Sequence, residues 1–207
     1  MAVNQEIPAS WLDDCYQVLQ KYRGDVSHAQ KVARLAEGLF DWTREFSGLN
    51  DSERIPLVAA GLLHDIGHVV GAAKHHRHSA WLLRNDEALA AWPSDLRETV
   101  AWLALNHRKS RVREARGKDR AAMGRLWRMA AILRLADVFD RAHNQRTAVH
   151  EMQVDADNAT ILFVLSEFDI STSAEAIRRK AAWAAEAWDA ELIFICGDDR
   201  LSVTPGD

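Results

Sequence analysis

The feature that most constrains this chain is an apolar run that ends in two metal-type ligands, Gly61-Leu62-Leu63-His64-Asp65-Ile66-Gly67-His68. Residues 59–63 have the composition of a buried helix, so the charged Asp65 that follows must lie at the edge of the interior. A carboxylate there is rarely left alone, because burying an unpaired charge is costly. Either His64 and Asp65 form hydrogen bonds within the core, or they share a cation with ligands from elsewhere in the chain.

Composition limits the classes of protein to which the chain can belong. Its 207 residues, 48% of them hydrophobic, predict one compact domain or one domain with a small appendage. The net charge of −4 argues against general attraction to nucleic acid or an anionic membrane, so we expect no specific nucleic-acid binding. No apolar run is long enough to span a bilayer and no signal-peptide pattern opens the sequence, so we expect a cytoplasmic protein. Cys15 and Cys196 lie far apart beside apolar neighbours, which predicts two buried free thiols.

Hydrophobic periodicity predicts two parts with different secondary structure. Residues 1–147 show mainly helical spacing, with Asp25-Val26-Ser27 as a typical start of one helix. After that the pattern changes, and residues 148–207 are predicted to form a small α+β tail with the order β-β-α-β. Its strands are expected at about 152–154, 161–165 and 192–195.

Two more polar residues interrupt surfaces that the periodicity assigns to the core. His28 lies in a first helical turn and, four residues before Val32, shares the face of that residue. Taken singly, such a histidine is more often a satisfied polar group than a ligand. Asp137 lies in the apolar segment 133–139 of a later helix, and a carboxylate in that setting requires a counter-ion or hydrogen-bond donors.

Histidines are concentrated after the opening motif. Four imidazoles lie within eleven positions, at His68, His75, His76 and His78. For His75 and His76, a solvated surface cluster and a functional role both remain open. His78 has the better claim to a function, because it precedes an apolar helical face.

A second group of polar residues follows the helix predicted to begin at Pro93-Ser94. His107 ends the apolar stripe of that helix and is followed by the cations Arg108 and Lys109. The basic residues form either a solvated charged run, which is the simpler interpretation, or a dedicated anion site.

The order of these residues resembles the HD-domain metal-dependent phosphohydrolase superfamily. Its defining elements are a histidine, an adjacent His-Asp pair and a distant aspartate on helices, here His28, His64-Asp65 and Asp137. Segments 64–68, 74–79, 107–110 and 133–137 look like the C-terminal HD module of the exopolyphosphatase/guanosine pentaphosphate phosphatase family. The similarity runs from about residue 25 to about residue 195. It implies a mainly α fold, an HD-domain helical bundle over residues 1–147 followed by the β-β-α-β tail.

The same resemblance limits what can be expected of the activity. Members of that family hydrolyse phosphoanhydrides in N-terminal actin-like domains. We expect no actin-like domain in this sequence. That activity is therefore not expected to transfer. What the resemblance implies is the HD module alone, and because its metal tetrad is intact, catalysis at the HD site itself stays open.

The resemblance also implies a role for each candidate residue. The metal ligands would be His28, His64, Asp65 and Asp137, with His78 and His107 as ligands of a second metal. Catalytic roles would fall to Asp65, His68 and Asp137, and phosphate binding to Arg108, Lys109 and Arg141. Two imidazoles and two carboxylates suit a divalent manganese, magnesium, iron, cobalt or zinc ion, and no thiolate selects among them. His68 occupies the place where many HD enzymes carry a lysine that contacts phosphate.

We therefore expect a metal-dependent phosphohydrolase that acts on a small phosphorylated compound, such as a nucleotide, a phosphomonoester or a polyphosphate-like anion. A metal-activated water would attack phosphorus. One alternative is a non-catalytic regulatory or nucleotide-binding HD module, and another is a metal-stabilised helical protein whose basic residues are merely solvated. Tryptophans of the tail could form a homodimer contact, although core packing explains them equally well.

Overall fold

The structure is a computed structural model that describes residues 7–108 and 120–206. Its α-helices are α1 (Trp11–Lys21), α2 (Val26–Ser47), α3 (Arg54–Leu63), α4 (His75–Asn85), α5 (Ser94–Asn106), α6 (Arg120–Phe139) and α7 (Ile170–Trp188). Its strands are β1 (Ala148–Asp155), β2 (Thr160–Ser166), β3 (Glu191–Cys196) and β4 (Asp199–Val203). Short 3-10 helices cover Asp51–Glu53, Ile66–Val69 and Glu87–Leu89.

These elements confirm the predicted fold class, a helical bundle followed by a small C-terminal β subdomain. The sequence pattern missed β4, which pairs antiparallel with β3 at the edge of the sheet. Its burial explains this, because only Leu201 and Val203 are buried and three of the five positions are exposed. β1 begins at Ala148, and a division of the chain into two domains at residue 147 stays a prediction.

The sheet is attached to the bundle by aromatic packing. Its strand order is β1-β2-β3-β4, with β2 and β3 parallel and α7 as the connection between them. Phe163 of β2 stacks on Phe194 of β3 with ring centroids 5.2 Å apart, and Phe139 at the end of α6 packs edge-on against Phe194. Trp183 of α7 is buried and stacks on Trp127 of α6 at 4.8 Å. The packing holds α7 along α6, so the tail helix lies close to Asp137.

The bundle is built around α2, which packs against both α3 and α6. A Cβ atom at Gly61 would lie 2.7 Å from the Cα of Ala33, so glycine allows α3 to approach the backbone of α2. This close approach brings His64, at the end of α3, to a ring-centroid distance of 5.4 Å from His28 of α2.

The cysteines and the apolar helices are the features that composition addressed. Both cysteines are free thiols; Cys15 is buried and Cys196 is half-buried. Among the helices of the described residues, none is long and apolar enough to cross a lipid bilayer.

A buried carboxylate links α1 to the segment after α4 and gives a testable effect on stability. Asp86 accepts hydrogen bonds from Tyr22 Oη at 2.5 Å and from Lys21 Nζ at 2.9 Å. Burial alone would raise the pKa of Asp86, but these hydrogen bonds outweigh it and lower the pKa below its ordinary value. A group with a lowered folded-state pKa stabilises the protein above its unfolded-state pKa, and this contribution is lost as the pH falls through the folded-state pKa.

We therefore expect Asp86→Asn to lower the free energy of unfolding by about 1.5 kcal/mol at pH 7, because the hydrogen bonds lose their charged acceptor. The difference between wild type and variant should shrink as the pH falls below about 4. Urea denaturation at several pH values measures both. A difference that stays constant down to pH 3 would contradict the assignment.

Candidate metal centre

Several helix ends converge on one cluster of histidine and aspartate side chains, which we call the His/Asp cluster. It contains His28 in the first turn of α2, His64 and Asp65 after α3, His68, His75 at the start of α4, His107 after α5 and Asp137 in the last turn of α6. Three groups have ligand atoms within 4.8 Å of one another: His28-His64-Asp137, His64-Asp65-His107 and Asp65-His68-His75. Because the groups share His64 and Asp65, they form one continuous cluster.

His28 is oriented by contacts on three sides. Its backbone N–H donates to the side chain of Asp25, the N-cap of α2, at 3.1 Å. Its Nδ1 donates to the buried Asp140 Oδ2 at 2.9 Å, and the ring of His143 stacks on it with centroids 3.8 Å apart. The remaining nitrogen, Nε2, lies 3.8 Å from Asp137 Oδ1. The contacts thus turn one ring nitrogen into the cluster.

The turn after Asp65 is packed directly against the start of α4. A Cβ atom at Gly67 would lie 2.2 Å from the carbonyl oxygen of His75 and 2.4 Å from the backbone nitrogen of Ser79. The backbone N–H of Gly67 donates to Ser79 Oγ at 2.9 Å. Glycine therefore permits a close backbone contact, which places His75 Nε2 3.1 Å from Asp65 Oδ1.

Three more histidines are anchored in a common way. Nδ1 of His64, His75 and His107 bonds to the backbone carbonyl three residues earlier, at 2.9, 3.1 and 2.7 Å. Since a carbonyl oxygen only accepts, each Nδ1 carries a proton, and in the neutral form of the ring Nε2 carries the lone pair. Metal-binding histidines are typically held in this way, with the second nitrogen fixed by an acceptor outside the site.

Three atoms that face the cluster have no hydrogen-bond partner in the part of the chain that the structure describes. Nε2 of His28, Nε2 of His64 and Oδ1 of Asp65 are buried without such a partner among the described residues. The Nε2 atoms of His75 and His107 lie 3.3 Å from each other and within 3.3 Å of Asp65 Oδ1. Two lone pairs and a carboxylate oxygen at these distances repel one another unless a cation or proton lies among them. The donor set therefore fits a divalent cation.

Burial and neighbouring charges set the protonation of the ligands. Burial alone would raise the pKa values of Asp65 and Asp137, but neighbouring groups, chiefly His64 at Asp65 and Lys180 at Asp137, lower both pKa values well below the usual range. Burial lowers the pKa of His107 to about 4 and also lowers that of His28. At neutral pH these residues are ionised carboxylates and neutral imidazoles, which are the forms that bind metal ions.

A cavity of about 320 Å³ opens beside the His/Asp cluster, and we call it the basic cavity. It is lined by Ala72, Ala73, Lys74, His76, Arg108, Arg179 and Lys180. The described lining contains four cationic side chains and no carboxylate, so the cavity favours an anion. Arg108 joins the cavity to the cluster, because its Nη1 lies 3.2 Å from both ring nitrogens of His75.

A second contact between the basic cavity and the His/Asp cluster comes from α7 in the C-terminal part of the chain. Lys180 lies on α7, and its Nζ donates a hydrogen bond to Asp137 Oδ2. The contact is long-range, between residues 43 positions apart in the chain. A side chain of the C-terminal subdomain therefore reaches the cluster.

The profile of a known family matches most of the chain. Residues 14–177 match the sequence profile of a family described as Ppx/GppA phosphatase, domain III. The chain belongs to this family. The match confirms the predicted relation to the C-terminal module of the exopolyphosphatase family and covers every helix of the bundle except the first three residues of α1. It ends before Arg179 and Lys180, so the two cations that α7 contributes to the basic cavity lie outside it.

In this Ppx/GppA domain III, most of the predicted site residues lie together. The cluster brings together His28, His64, Asp65, Asp137 and His107, and His68 lies at its rim with its side chain 49% exposed. Arg108 lines the basic cavity. Lys109, also predicted to bind phosphate, lies outside the described residues.

Two predicted residues lie elsewhere. His78 belongs to none of the three ligand groups, and its Nδ1 is buried without a partner among the described residues. Its place beside Asp65 is taken by His75, one helical turn earlier. Arg141 is exposed and does not line the basic cavity. The sequence could not distinguish the two histidines, because Lys74 has a φ of +63° and this turn sets the rotation of α4.

Sequence reasoning also missed three residues that support the site. Asp140 could have been considered, since it follows Asp137 by three positions and carboxylates are common hydrogen-bond partners of ligand histidines. Lys180 and Arg179 had no signal in the sequence, because their contribution depends on how α7 packs against α6.

Proposed function

We propose that this Ppx/GppA domain III is itself a metal-dependent phosphohydrolase that acts on a small phosphorylated compound at the His/Asp cluster. The observation that carries the proposal is the set of two imidazole nitrogens and one carboxylate oxygen, buried without hydrogen-bond partners among the described residues, beside a cavity lined by cations. The cluster suits a divalent cation and the cavity suits phosphate oxygens. The two together are what metal-assisted phosphate hydrolysis requires.

The ligand groups divide the cluster into two positions. His28, His64 and Asp137 would hold one cation. Asp65 would hold a second beside it, together with His75 and His107, whose Nε2 atoms lie within 3.3 Å of its Oδ1. His64 and Asp65 lie between the two. Mixed imidazole and carboxylate ligands suit manganese, iron, cobalt, zinc or magnesium.

Different side chains would have different roles in the hydrolysis of a phosphate ester or anhydride. A bound divalent cation polarises a phosphoryl oxygen and lowers the pKa of a water molecule at the site. Asp65 and Asp137 would orient that water through their carboxylate oxygens. Nε2 of His68 lies 3.6 Å from Asp65 Oδ2 on the exposed side, where it can receive the proton that the water loses. Arg108, Lys74 and Arg179 would bind phosphate oxygens of the substrate.

Metal analysis combined with a substrate panel tests the proposal. Protein purified without chelator would be analysed for metals, then assayed for phosphate release from nucleotides, phosphomonoesters and short polyphosphates with manganese, magnesium or cobalt. We expect at least about one bound metal per chain and phosphate release from one substrate class. Treatment with a chelator should abolish release, and adding back the cation should restore it.

Each other outcome points to a different function. Tight nucleotide binding without turnover would favour a regulatory module. Metal retention with neither turnover nor binding would favour a structural role for the ion. A protein that stays metal-free and inactive with every added cation would refute the proposed site.

A further inference from the structure

Asp137 lies between the other residues of the His/Asp cluster and Lys180 of the basic cavity, because its two carboxylate oxygens face different groups. Oδ1 lies 3.8 Å from His28 Nε2, on the side of the cluster. Oδ2 accepts the hydrogen bond from Lys180 Nζ, on the side of the cavity. A cation can bind Oδ1 of Asp137 while the ammonium group of Lys180 keeps its hydrogen bond to Oδ2. Lys180 therefore lies beside the proposed metal position and does not replace it.

The ammonium group of Lys180 has more donors than the described residues satisfy. Its side chain is only 12% exposed. An ammonium carries three N–H donors, and within the described part of the chain Asp137 is the one acceptor that it contacts. Buried donors require acceptors. Since Lys180 lines the basic cavity, oxygens of an anion bound there would supply them.

The neighbours of Lys180 in the cavity favour a phosphoryl group. Arg108 and Arg179 line the same cavity, and no described lining residue brings a compensating carboxylate into it. A phosphoryl group presents several oxygens at once, and guanidinium and ammonium groups bind such oxygens by short charge-assisted hydrogen bonds.

A single buried arginine contacts the backbone of α7 at Arg179 and Lys180. Arg134, fully buried in α6, donates from Nη2 to the carbonyl oxygen of Arg179 at 2.9 Å and from Nε to that of Lys180 at 3.3 Å. Its Nη1 donates to the carbonyl oxygen of Asn106, the last residue of α5, at 3.0 Å. The guanidinium also lies 4.5 Å from the ring centroid of Trp183. One side chain thus joins α7 to the helices that carry Asp137 and lead to His107.

We propose that Lys180 is a catalytic residue that binds the phosphoryl group of the substrate, and that Arg134 is the positioning residue that holds it there. The inference rests on the proposed function, since it assumes that a phosphoryl group reacts beside Asp137. Lys180 neutralises the oxygens of the phosphoryl group on the side of the cavity. The His/Asp cluster lies on the other side of that group. The C-terminal subdomain thereby completes the site of the helical bundle.

Binding of inorganic phosphate to the manganese-loaded protein tests the role of Lys180. Calorimetry would compare wild type with Lys180→Met, Lys180→Arg and Arg178→Met, with metal content measured for each. Arg178 is the matched control, because it is exposed on the same helix and does not line the cavity. We expect Lys180→Met to keep its metal and to bind phosphate at least about tenfold more weakly. Lys180→Arg should recover part of the affinity, and Arg178→Met should match wild type.

The outcomes separate this inference from the proposed function. Phosphate affinity unchanged in Lys180→Met, metal lost from Lys180→Met, or no phosphate binding by the metal-loaded wild type would each overturn the role of Lys180. Phosphate binding that depends on Lys180 in a protein without turnover would support this site and refute the phosphohydrolase.

A double-substitution cycle tests Arg134. We expect Arg134→Lys and Arg134→Gln to weaken phosphate binding while metal is retained. If Arg134 acts through Lys180, adding either substitution to Lys180→Met should cause no further loss. A general structural role would instead weaken binding equally in both backgrounds, and additive losses would overturn the positioning role.

Discussion

Asp65→Asn should weaken binding of the cation held by Asp65, His75 and His107 and abolish phosphate release, while the protein stays folded. Asp65 belongs to two of the three ligand groups, and its Oδ1 lies within 3.3 Å of Nε2 of both His75 and His107. An amide has the shape of the carboxylate but not its charge, so the imidazoles of His75 and His107 remain as the main partners of that cation. Substitutions of residues that merely orient ligands cost about 10- to 100-fold in metal affinity, so we expect more than about 100-fold here.

Calorimetric titration with manganese and the phosphate-release assay measure these two effects. Asp157→Asn is the matched control, because it makes an identical change of charge at an exposed position between β1 and β2. It should bind metal and release phosphate like wild type. Circular dichroism should be unchanged in both variants. Wild-type metal affinity and stoichiometry in Asp65→Asn would show that Asp65 is not a metal ligand.

Gly67→Ala should destabilise the protein and disturb the His/Asp cluster through a single methyl group. The added Cβ would lie 2.2 Å from the carbonyl oxygen of His75 and 2.4 Å from the backbone nitrogen of Ser79. Backbone atoms cannot move aside as a side chain can, so the start of α4 must shift. We expect a loss of about 3 kcal/mol in the free energy of unfolding. For a chain of 207 residues this corresponds to a fall in Tm of roughly 6 to 12 °C.

Gly71→Ala is the control for this effect. A Cβ at Gly71 meets nothing within 4 Å, so the free energy of unfolding should change by less than about 0.5 kcal/mol. Thermal unfolding followed by circular dichroism compares the two variants, and a manganese titration follows the cluster. Metal affinity should fall in Gly67→Ala alone, because the shift of α4 displaces His75 from Asp65. Equal stability of the two variants would contradict the close backbone contact.

The helical bundle and the residues of the His/Asp cluster differ in how far the sequence reveals them. Helical periodicity is local, so the bundle and most of the tail could be predicted from spacing and caps such as Asp25, which the structure confirms. The short edge strand β4 could not be predicted, since two buried residues are too few to form a pattern. The sequence also could not show whether His75 or His78 lies beside Asp65, because this depends on the turn at Lys74.

The sequence by itself determined the fold class, the family and the polar residues that interrupt apolar helix faces, among them His28, His64-Asp65 and Asp137. These follow from neighbours within one or two helical turns, where periodicity and burial act. Only the tertiary structure decided that Lys180 reaches Asp137 and that Arg134 ties α5, α6 and α7 together. It also decided that a basic cavity forms between the start of α4, the end of α5 and α7. Those contacts join residues up to 46 positions apart, and they depend on how whole helices pack, which no local pattern specifies.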